Sequence, residues 1–255
     1  MKLIKADLHE LPRVNIHILG DLHIGSNKFM YNEFKCRIDN ILSDEYARVI
    51  ILGDVINNST KTSIGDCYSE PLSPMEQIKL AKNLLEPIKD KIIGIVAGNH
   101  ERRSYKTDGL DIAYFLASEL GIADKYDYSA GCILVRFGAN ENVGRRPKCI
   151  SIYCTHGDGN GGRTVGGKAN GLSKRGQIID ADVIVTGHTH TPLVFAEASY
   201  HIDVIHNKII KRDQLFVNCG SALDYEEYAE LYGLKPSSER DPVIYLTHTG
   251  TTAVV

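Results

Sequence analysis

The chain has 255 residues, of which 43% are hydrophobic and 24% charged, the ordinary balance of a globular protein with a buried core. Its formal net charge of −3 gives no global basic field, which argues against binding to long duplex nucleic acid through overall charge. No stretch approaches the length of a membrane span, and residues 1–12 lack the apolar run of a signal peptide. Six cysteines form no Cys-x-x-Cys pair, as is typical of free thiols, so we expect a cytoplasmic protein with no membrane contact.

The first half of the chain alternates buried strands with amphipathic helices. Ser73, Pro74 and Glu76 form a helix start, with an N-cap, a proline in the first turn and a capping-box glutamate. Such alternation predicts a parallel sheet covered by helices. The predicted strands are Val14–Leu19, Arg48–Leu52 and Ile92–Val96, and the other predicted helices are Tyr31–Leu42 and Leu110–Leu120.

The second half is rich in strands, which suggests a second sheet packed on the first. No internal repeat or sharp break in composition divides the chain, so residues 1–255 are predicted to form a single domain. One helical piece is predicted at Leu172–Ile179, among strands at Cys132–Phe137, Cys149–Cys154, Val183–Thr186, Leu193–Ala196, Leu215–Asn218 and Val243–Thr247.

Five short polar clusters follow apolar runs along the chain. Asp21 and His23 lie two residues apart after a predicted strand, so in extended geometry their side chains share a face. A single Gly-Asp after a strand is usually only a turn. Five clusters at strand ends are more informative, because open α/β sheets gather their ligand sites there. The clusters occupy residues 20–23, 53–57, 98–101, 155–158 and 187–190.

The clusters offer two carboxylates, one amide oxygen and four imidazoles as metal ligands. This mixture suits Mn²⁺, Fe²⁺, Zn²⁺, Ni²⁺ or Co²⁺ better than Ca²⁺ or Mg²⁺, which prefer oxygen. Seven ligands are too many for one tetrahedral ion but fit two ions about 3.5–4 Å apart, the spacing used for in-line displacement at phosphorus. The candidate ligands are Asp21, His23, Asp54, Asn99, His156, His188 and His190.

The order of these motifs resembles the calcineurin-like metallophosphoesterase family. Asp-x-His, Gly-Asp, Gly-Asn-His-Glu, His-Gly and Gly-His-x-His follow one another between Asp21 and His190. The resemblance implies an α/β fold, a four-layer α/β/β/α sandwich with two mixed β-sheets and the metal site at the carboxyl ends of strands. It also implies a binuclear phosphoester hydrolase, with two divalent metal ions, Mn²⁺ being expected first.

The resemblance further implies a role for each matching residue. Asp21, His23 and His190 would bind one metal. Asn99, His156 and His188 would bind the other metal, with Asp54 bridging the two. A hydroxide shared by the ions would attack phosphorus, since cations lower the pKa of bound water toward about 7. His100 would not be a ligand but would donate to the leaving oxygen or stabilise the charged transition state.

The residues after Asp54 bear on the substrate. The protein-phosphatase branch of the family has Asp-Arg-Gly here, whereas this chain has Val55 and Ile56 after Asp54, which argues against a Ser/Thr phosphoprotein phosphatase. The run is closer to the phosphodiesterase and SbcD-like exonuclease branches. Arg102 and Arg103 follow the third motif and could bind a phosphate, or could belong to a solvated loop.

A glycine-rich run covers residues 157–171. Gly162 to Lys168 imitates a phosphate-binding P-loop, but Ala169 stands where a hydroxyl residue would hold Mg²⁺, so that interpretation is rejected. We predict a flexible loop beside the metals, in which backbone N–H groups and Lys168 meet a substrate phosphate, with Arg163 as a further candidate cation. The alternative is a mobile surface loop without such a contact. Residues 57–73 are a possible lid.

These patterns favour a phosphodiesterase or nuclease-like enzyme that acts on a small diester, a nucleotide or a short nucleic acid. Two alternatives remain open at this stage. The first is a phosphomonoesterase acting on nucleotides or phosphoproteins, and the second is a non-catalytic scaffold that keeps the fold and binds metals. The oligomeric state is left open by the sequence.

Overall fold

Two six-stranded mixed sheets form the centre of the molecule. The computed structural model describes residues 1–60, 63, 70–139, 144–158, 162, 164–225, 235–236, 238 and 240–255. Sheet I contains, in spatial order, β12 (Thr251–Val254), β11 (Val243–Leu246), β2 (Val14–Leu19), β3 (Ala47–Ile51), β4 (Ile92–Val96) and β5 (Tyr126–Asp127). Sheet II contains β1 (Lys2–Leu8), β6 (Ala130–Phe137), β7 (Lys148–Thr155), β8 (Val183–Thr186), β10 (Lys208–Asn218) and β9 (Leu193–Asp203).

Parallel pairing aligns the strand ends that matter for the site. Strands β2 to β5 run parallel in sheet I, while β11 and β12 complete it in antiparallel pairing. In sheet II, β7, β8 and β10 are mutually parallel, and β9 returns antiparallel to β10. The carboxyl ends of three strands in each sheet therefore lie side by side.

Five helices cover the two sheets within the described residues. They are α1 (Tyr31–Ser43), α2 (Pro74–Leu85), α3 (Asn99–Asp108), α4 (Ile112–Glu119) and α5 (Val165–Gly176). As predicted, α2 begins with a capping box formed by Ser73 and Glu76 and has Pro74 in its first turn. None of the described helices combines the length with the apolar composition needed to cross a bilayer.

Three hydrophobic clusters define the order of the layers. Apolar residues between the sheets, such as Ile16 and Ile133, form one buried cluster. A second cluster joins the outer face of sheet I to α1, α2 and α4, with Phe34 fully buried. A third joins Leu172 of α5 to Phe216 on the outer face of sheet II. This order confirms the four-layer α/β/β/α sandwich.

Two parts of the prediction are wrong. Arg102 and Arg103 were expected in a loop but lie in α3, and Lys168 was expected in a loop but lies in α5, which begins well before the predicted Leu172. Helix α3 buries only Glu101, so it has no apolar stripe that a periodicity argument could detect. Helix α5 is rich in glycine, which disfavours helix, but Thr164 caps it by accepting the Gly167 N–H at 3.1 Å.

Some predictions concern residues outside the described ranges. The possible lid over 57–73 is described only at 57–60, 63 and 70–73, and Arg163 falls outside the described residues. The glycine-rich run is described at 157–158, 162 and 164–171. Strands β1, β5 and β12, and the outer halves of β9 and β10, were not predicted.

Candidate metal centre

Polar side chains that follow strands of both sheets lie together at one edge of the sandwich. Asp21 and His23 follow β2, Asp54 follows β3, and Asn99 follows β4 of sheet I. From sheet II, the other three predicted ligands follow β7 and β8, namely His156, His188 and His190. Contacts shorter than 4 Å connect all seven residues, and the His188 backbone N–H, which donates to Asp21 Oδ2, joins the two groups of side chains. The structure therefore brings every predicted ligand into one constellation.

One group consists of Asp21, His23 and His190, whose ligand atoms all lie within 4.8 Å of one another. The Nε2 atoms of His23 and His190 are 3.2 Å apart, and His190 Nε2 is 3.5 Å from Asp21 Oδ1. Asp21 is fully buried, yet its Oδ1 has no hydrogen-bond partner. A buried carboxylate oxygen without a partner is costly, and a cation at this position would satisfy it.

A second group consists of Asp54, His156 and His188, again with ligand atoms within 4.8 Å. Asn99 joins it, because its Oδ1 lies 2.8 Å from His156 Nε2 and 2.6 Å from His188 Nδ1. His156 Nδ1 lies 2.7 Å from the Leu52 carbonyl, and donation to that oxygen leaves the Nε2 lone pair facing the group. A metal-binding histidine is commonly oriented by such a backbone carbonyl.

Asp54 stands between the two groups. Its Oδ2 lies 3.3 Å from His156 Nε2 and 3.7 Å from His100 Nε2, and its Oδ1 accepts the His100 backbone N–H at 2.8 Å. A third group, formed by His23, Asp54 and His100, overlaps the first two. The geometry thus places Asp54 where a bridging ligand would have to be, and His100 directly beside it.

The backbone at these positions is strained. Seven described residues other than glycine have a positive φ, and five of them belong to the constellation: Asp21 (50°), His23 (49°), Asp54 (48°), His188 (70°) and His190 (50°). A left-handed conformation costs a non-glycine residue on the order of 1–3 kcal/mol and is concentrated at functional sites. The strain is therefore independent support for a site at the residues that the sequence motifs indicate.

The carboxylates and imidazoles of the constellation shift one another's pKa. Burial raises the pKa of Asp54, but the His100 and His156 imidazoles outweigh it and hold that pKa well below its usual range. Burial also opposes ionisation of Asp21, yet His190 and His156 lower its pKa to about 2. For His156, burial lowers the pKa, but Asp54 and Asp21 raise it to about 9. Ionised carboxylates at these positions attract a cation.

Glu101 is a functional residue to which the sequence gave no role. Its buried carboxylate accepts the backbone N–H groups of Asp54 (2.9 Å), Val55 (2.6 Å), Ile56 (3.2 Å) and Gly98 (2.9 Å). It thereby ties the loop after β3 to the start of α3. Gly98 and Gly53 permit this close approach, since a Cβ on Gly53 would lie 2.1 Å from the Gly98 nitrogen.

Asn57 is the second residue that the sequence left without a role. Its Oδ1 lies 3.2 Å from His23 Nδ1, and its backbone carbonyl contacts His100 Nδ1. One residue thus orients both imidazoles. Glu70 fixes the Asn57 amide in turn by accepting a hydrogen bond from its Nδ2. No sequence spacing marks this function.

The three predicted substrate-binding residues have different surroundings. Arg103 Nη2 lies 2.9 Å from His100 Nε2, so this guanidinium reaches the constellation. Arg102 Nη2 donates to the Tyr128 carbonyl at 2.9 Å, and its guanidinium lies over the Tyr128 ring at 5.2 Å. Lys168 Nζ donates to the Thr189 carbonyl at 3.0 Å, within the loop that carries His188 and His190.

A comparison with protein families gives one match. The family model described as calcineurin-like phosphoesterase matches residues 14–192, a range that includes the seven candidate ligands. No protein with a curated function matches the chain significantly.

Solved structures with similar folds are distant in sequence. Vacuolar Protein Sorting 29 from Cryptosporidium parvum is 16% identical with a TM-score of 0.46, covering 95% of this chain and 96% of its own. A predicted phosphoesterase from Streptococcus pneumoniae is 12% identical with a TM-score of 0.39, covering 95% and 97%. The nuclease MPE from Pseudomonas putida is 12% identical with a TM-score of 0.34, covering 94% and 87%. Similarity at this level gives no argument about activity.

Proposed function

Because the chain belongs to the calcineurin-like phosphoesterase family, we propose that it is a metal-dependent phosphoester hydrolase, and more specifically a phosphodiesterase or nuclease-like enzyme. One observation carries the proposal: Asp54 belongs to two of the three groups of candidate ligands, and its group with His23 and His100 links the other two. The strained backbone supports the same placement, as does the buried Asp21 Oδ1, whose contact with His190 Nε2 is long at 3.5 Å. The substrate we propose is a small diester, a nucleotide or a short nucleic acid.

We assign Asp21, His23 and His190 to one divalent ion. The second ion is assigned to Asn99, His156 and His188, with Asp54 shared by both. The donor set of nitrogen and oxygen atoms suits Mn²⁺ and its neighbours in the first transition row. When bound, such ions activate water as a nucleophile and neutralise charge on the phosphoryl group.

The protein's contribution begins with the orientation of its ligands. Donation from His23 Nδ1 to Asn57 Oδ1 fixes one tautomer, and donation from His156 Nδ1 to the Leu52 carbonyl fixes another. Both tautomers leave Nε2 unprotonated and directed into the constellation. Preorganised ligands of this kind bind metal without paying further ordering entropy.

His100 and Arg103 are placed to act on the reacting phosphate. With Nδ1–H donating to the Asn57 carbonyl, His100 Nε2 accepts from Arg103 and lies 3.7 Å from Asp54 Oδ2. An incoming phosphate oxygen would compete for the Arg103 guanidinium and so free Nε2, which can take up a proton from water and donate it to the leaving oxygen. This assignment makes His100 the general acid and Arg103 a charge-stabilising group.

Within the described residues, the predicted substrate-binding cations favour a diester over a monoester, because two of the three are held by other groups. Val55 replaces the arginine that phosphoprotein phosphatases carry after this aspartate, and it is 1% exposed. Arg102 and Lys168 are engaged by Tyr128 and the Thr189 carbonyl. Arg103 is left to meet the extra negative charge of a monoester, whereas a diester carries a single charge.

Buried free thiols support a reducing compartment, so we propose that the enzyme works in the cytoplasm. Cys154 and Cys219 are buried and unbonded to other cysteines. Disulfides are rare in that compartment, where thiols are kept reduced.

The test compares matched aryl substrates on protein stripped of metal and supplied with Mn²⁺. We expect a higher kcat/KM for bis-p-nitrophenyl phosphate than for p-nitrophenyl phosphate. Asp54→Asn should abolish the Mn²⁺-dependent rate, while Asp7→Asn, at a side chain 51% exposed, serves as the control. A tenfold preference for the monoester, about 1.4 kcal/mol in transition-state stabilisation, would replace the proposal with a phosphomonoesterase. Metal binding without any hydrolysis would instead indicate a scaffold.

A further inference from the structure

The hairpin formed by β9 and β10 carries an exposed apolar patch. Its outer half presents Tyr200 (78% exposed), Ile202 (67%), Val204 (77%), Ile205 (82%) and Ile209 (70%) to solvent. We call these five residues the hairpin patch. Contiguous apolar exposure of this kind marks an interaction surface, whereas scattered apolar residues need no explanation.

The hairpin patch continues the apolar face of sheet II that packs against sheet I. Ile202 shares a face of β9 with Val194, which packs against the cluster between the sheets. Ile202 pairs with Ile209 across the hairpin, so both strands extend the apolar face beyond the sandwich. In the described part of the chain nothing covers this extension, because its residues are exposed.

Strand β9 is also the end of sheet II. It is 11 residues long and pairs with β10 on one side, and the described residues place no strand on the other. Proteins usually protect such an edge with lysine, proline or a bulge. Between Leu193 and Asp203 there is no lysine or proline, and the pairing with β10 is regular throughout. A long, regular and unprotected edge can accept another strand.

We propose that β9 pairs antiparallel with β9 of a second copy of this chain, which joins the two copies of sheet II into one continuous sheet. The proposal rests on the hairpin alone and is independent of the proposed catalytic function. A two-fold axis perpendicular to the sheet maps each face of the sheet onto the same face of the second copy. The only allowed registers are therefore those in which the two paired residues point to the same face.

Charge complementarity selects among these registers. With the axis at Ser199, Glu197 lies opposite His201 of the second copy, and Ala198 lies opposite Tyr200. Moving the axis to Tyr200 would place Glu197 opposite Asp203, where like charges repel. The Ser199 register therefore uses the acidic and imidazole side chains of β9 as complementary partners.

The same register covers the hairpin patch. Ile202 falls opposite Ala196 of the second copy, and Tyr200 falls opposite Ala198. The exposed tip of each hairpin thereby lies beside the base of the other, where the apolar face enters the sandwich. One symmetric contact then pairs the free strand edge and buries apolar surface at once.

Sedimentation velocity of the full chain over a range of concentrations tests the proposal. We expect a dimer with twice the 28.2 kDa mass of the chain. Ile202→Asp should weaken the dimer at least tenfold. Leu3→Asp is the matched control, since Leu3 is 57% exposed on β1, the opposite edge of the same sheet. A monomeric wild type, or equal effects of the two variants, would overturn the proposal.

A charge exchange tests the register. Glu197→Lys and His201→Glu should each weaken the dimer, and the double variant should restore it, because lysine and glutamate then lie opposite each other. Failure of the double variant to recover would overturn the Ser199 register. Hydrogen exchange of wild-type β9 gives an independent measurement that needs no variant. Its amides should gain protection as concentration rises, and unchanged exchange would contradict the pairing.

Discussion

At the scale of single residues, the site combines buried charge with a strained backbone. Asp21 and Asp54 are 0% and 2% exposed, and both have a positive φ. Neither feature stabilises a fold by itself, since a buried carboxylate loses hydration and a left-handed residue costs conformational energy. Their coincidence at the same positions is explained by a function that requires these carboxylates to converge.

His100→Ala should keep the metals and lose turnover. The His100 side chain lies beside Asp54 but is not among the ligands assigned here, and general acids contribute typically about 10²–10⁴-fold. Measuring kcat and metal content by mass spectrometry on one preparation checks this. If metal is lost in proportion to activity, His100 is a ligand, as its grouping with His23 and Asp54 allows.

Glu101→Gln should destabilise the fold and weaken metal binding together. The carboxylate accepts four backbone N–H groups, and a glutamine has one acceptor oxygen and an amide group that would face those donors. Leaving buried donors unsatisfied costs about 1–3 kcal/mol. Urea unfolding and a Mn²⁺ titration measure the two effects.

Glu76→Gln is the matched control for this prediction, because Glu76 belongs to an exposed capping box at the start of α2. It should change stability only slightly and leave the Mn²⁺ affinity intact. An unaltered Mn²⁺ affinity in Glu101→Gln would show that this residue does not position the ligands.

These residues also show how far the sequence could predict the site. The convergence of the seven candidate ligands was predictable, because they follow strands whose carboxyl ends meet at one edge of a sheet. Glu101 and Asn57 act through backbone N–H groups and through other side chains, and such contacts leave no spacing in the sequence. Only the folded chain brings Glu101 to Asp54 and Asn57 to His23.

At the scale of elements, two helices were harder to predict than the strands. The predicted strands β2, β3 and β4 of sheet I are mainly apolar runs, whereas α3 has a single buried side chain and α5 contains several glycines. Both helices begin next to the site and carry residues that contact it. The sequences of α3 and α5 are therefore constrained by the site more than by packing. For this reason a search for apolar periodicity does not detect these two helices.

Lys168→Met tests whether α5 positions the loop that carries His188 and His190. Because Lys168 donates to the Thr189 carbonyl and to Thr191 Oγ1, its loss should loosen the loop and lower the Mn²⁺ affinity. Lys174→Met, at an exposed site on the same helix, is the control. A rise in KM with unchanged metal affinity would instead assign Lys168 to substrate binding, as the sequence suggested.

At the scale of the whole molecule, the site exists only when the two sheets are packed together. Asp21, His23 and Asp54 come from sheet I, whereas His156 and His188 come from sheet II. The unfolded chain cannot present these ligands together, so binding should be coupled to global folding. The inter-sheet cluster of apolar residues is what fixes the distance between the two halves of the site.

Metal should therefore raise the thermal stability of the protein. At a free Mn²⁺ concentration of 100 Kd, one site contributes about 2.7 kcal/mol. For a chain of this size that corresponds to an increase in Tm of roughly 5–10 °C. Calorimetry of the stripped protein with and without Mn²⁺ measures it, and Asp54→Asn should reduce the increase. Equal melting temperatures with and without metal would contradict the coupling.

An anomalous difference map from crystals containing Mn²⁺ tests the central claim most directly. We predict two peaks about 3.5–4 Å apart, with Asp54 contacting both. One peak should lie among Asp21, His23 and His190, and the other beside His156 and His188. A single peak, or peaks outside this constellation, would contradict a binuclear centre at the junction of the two sheets.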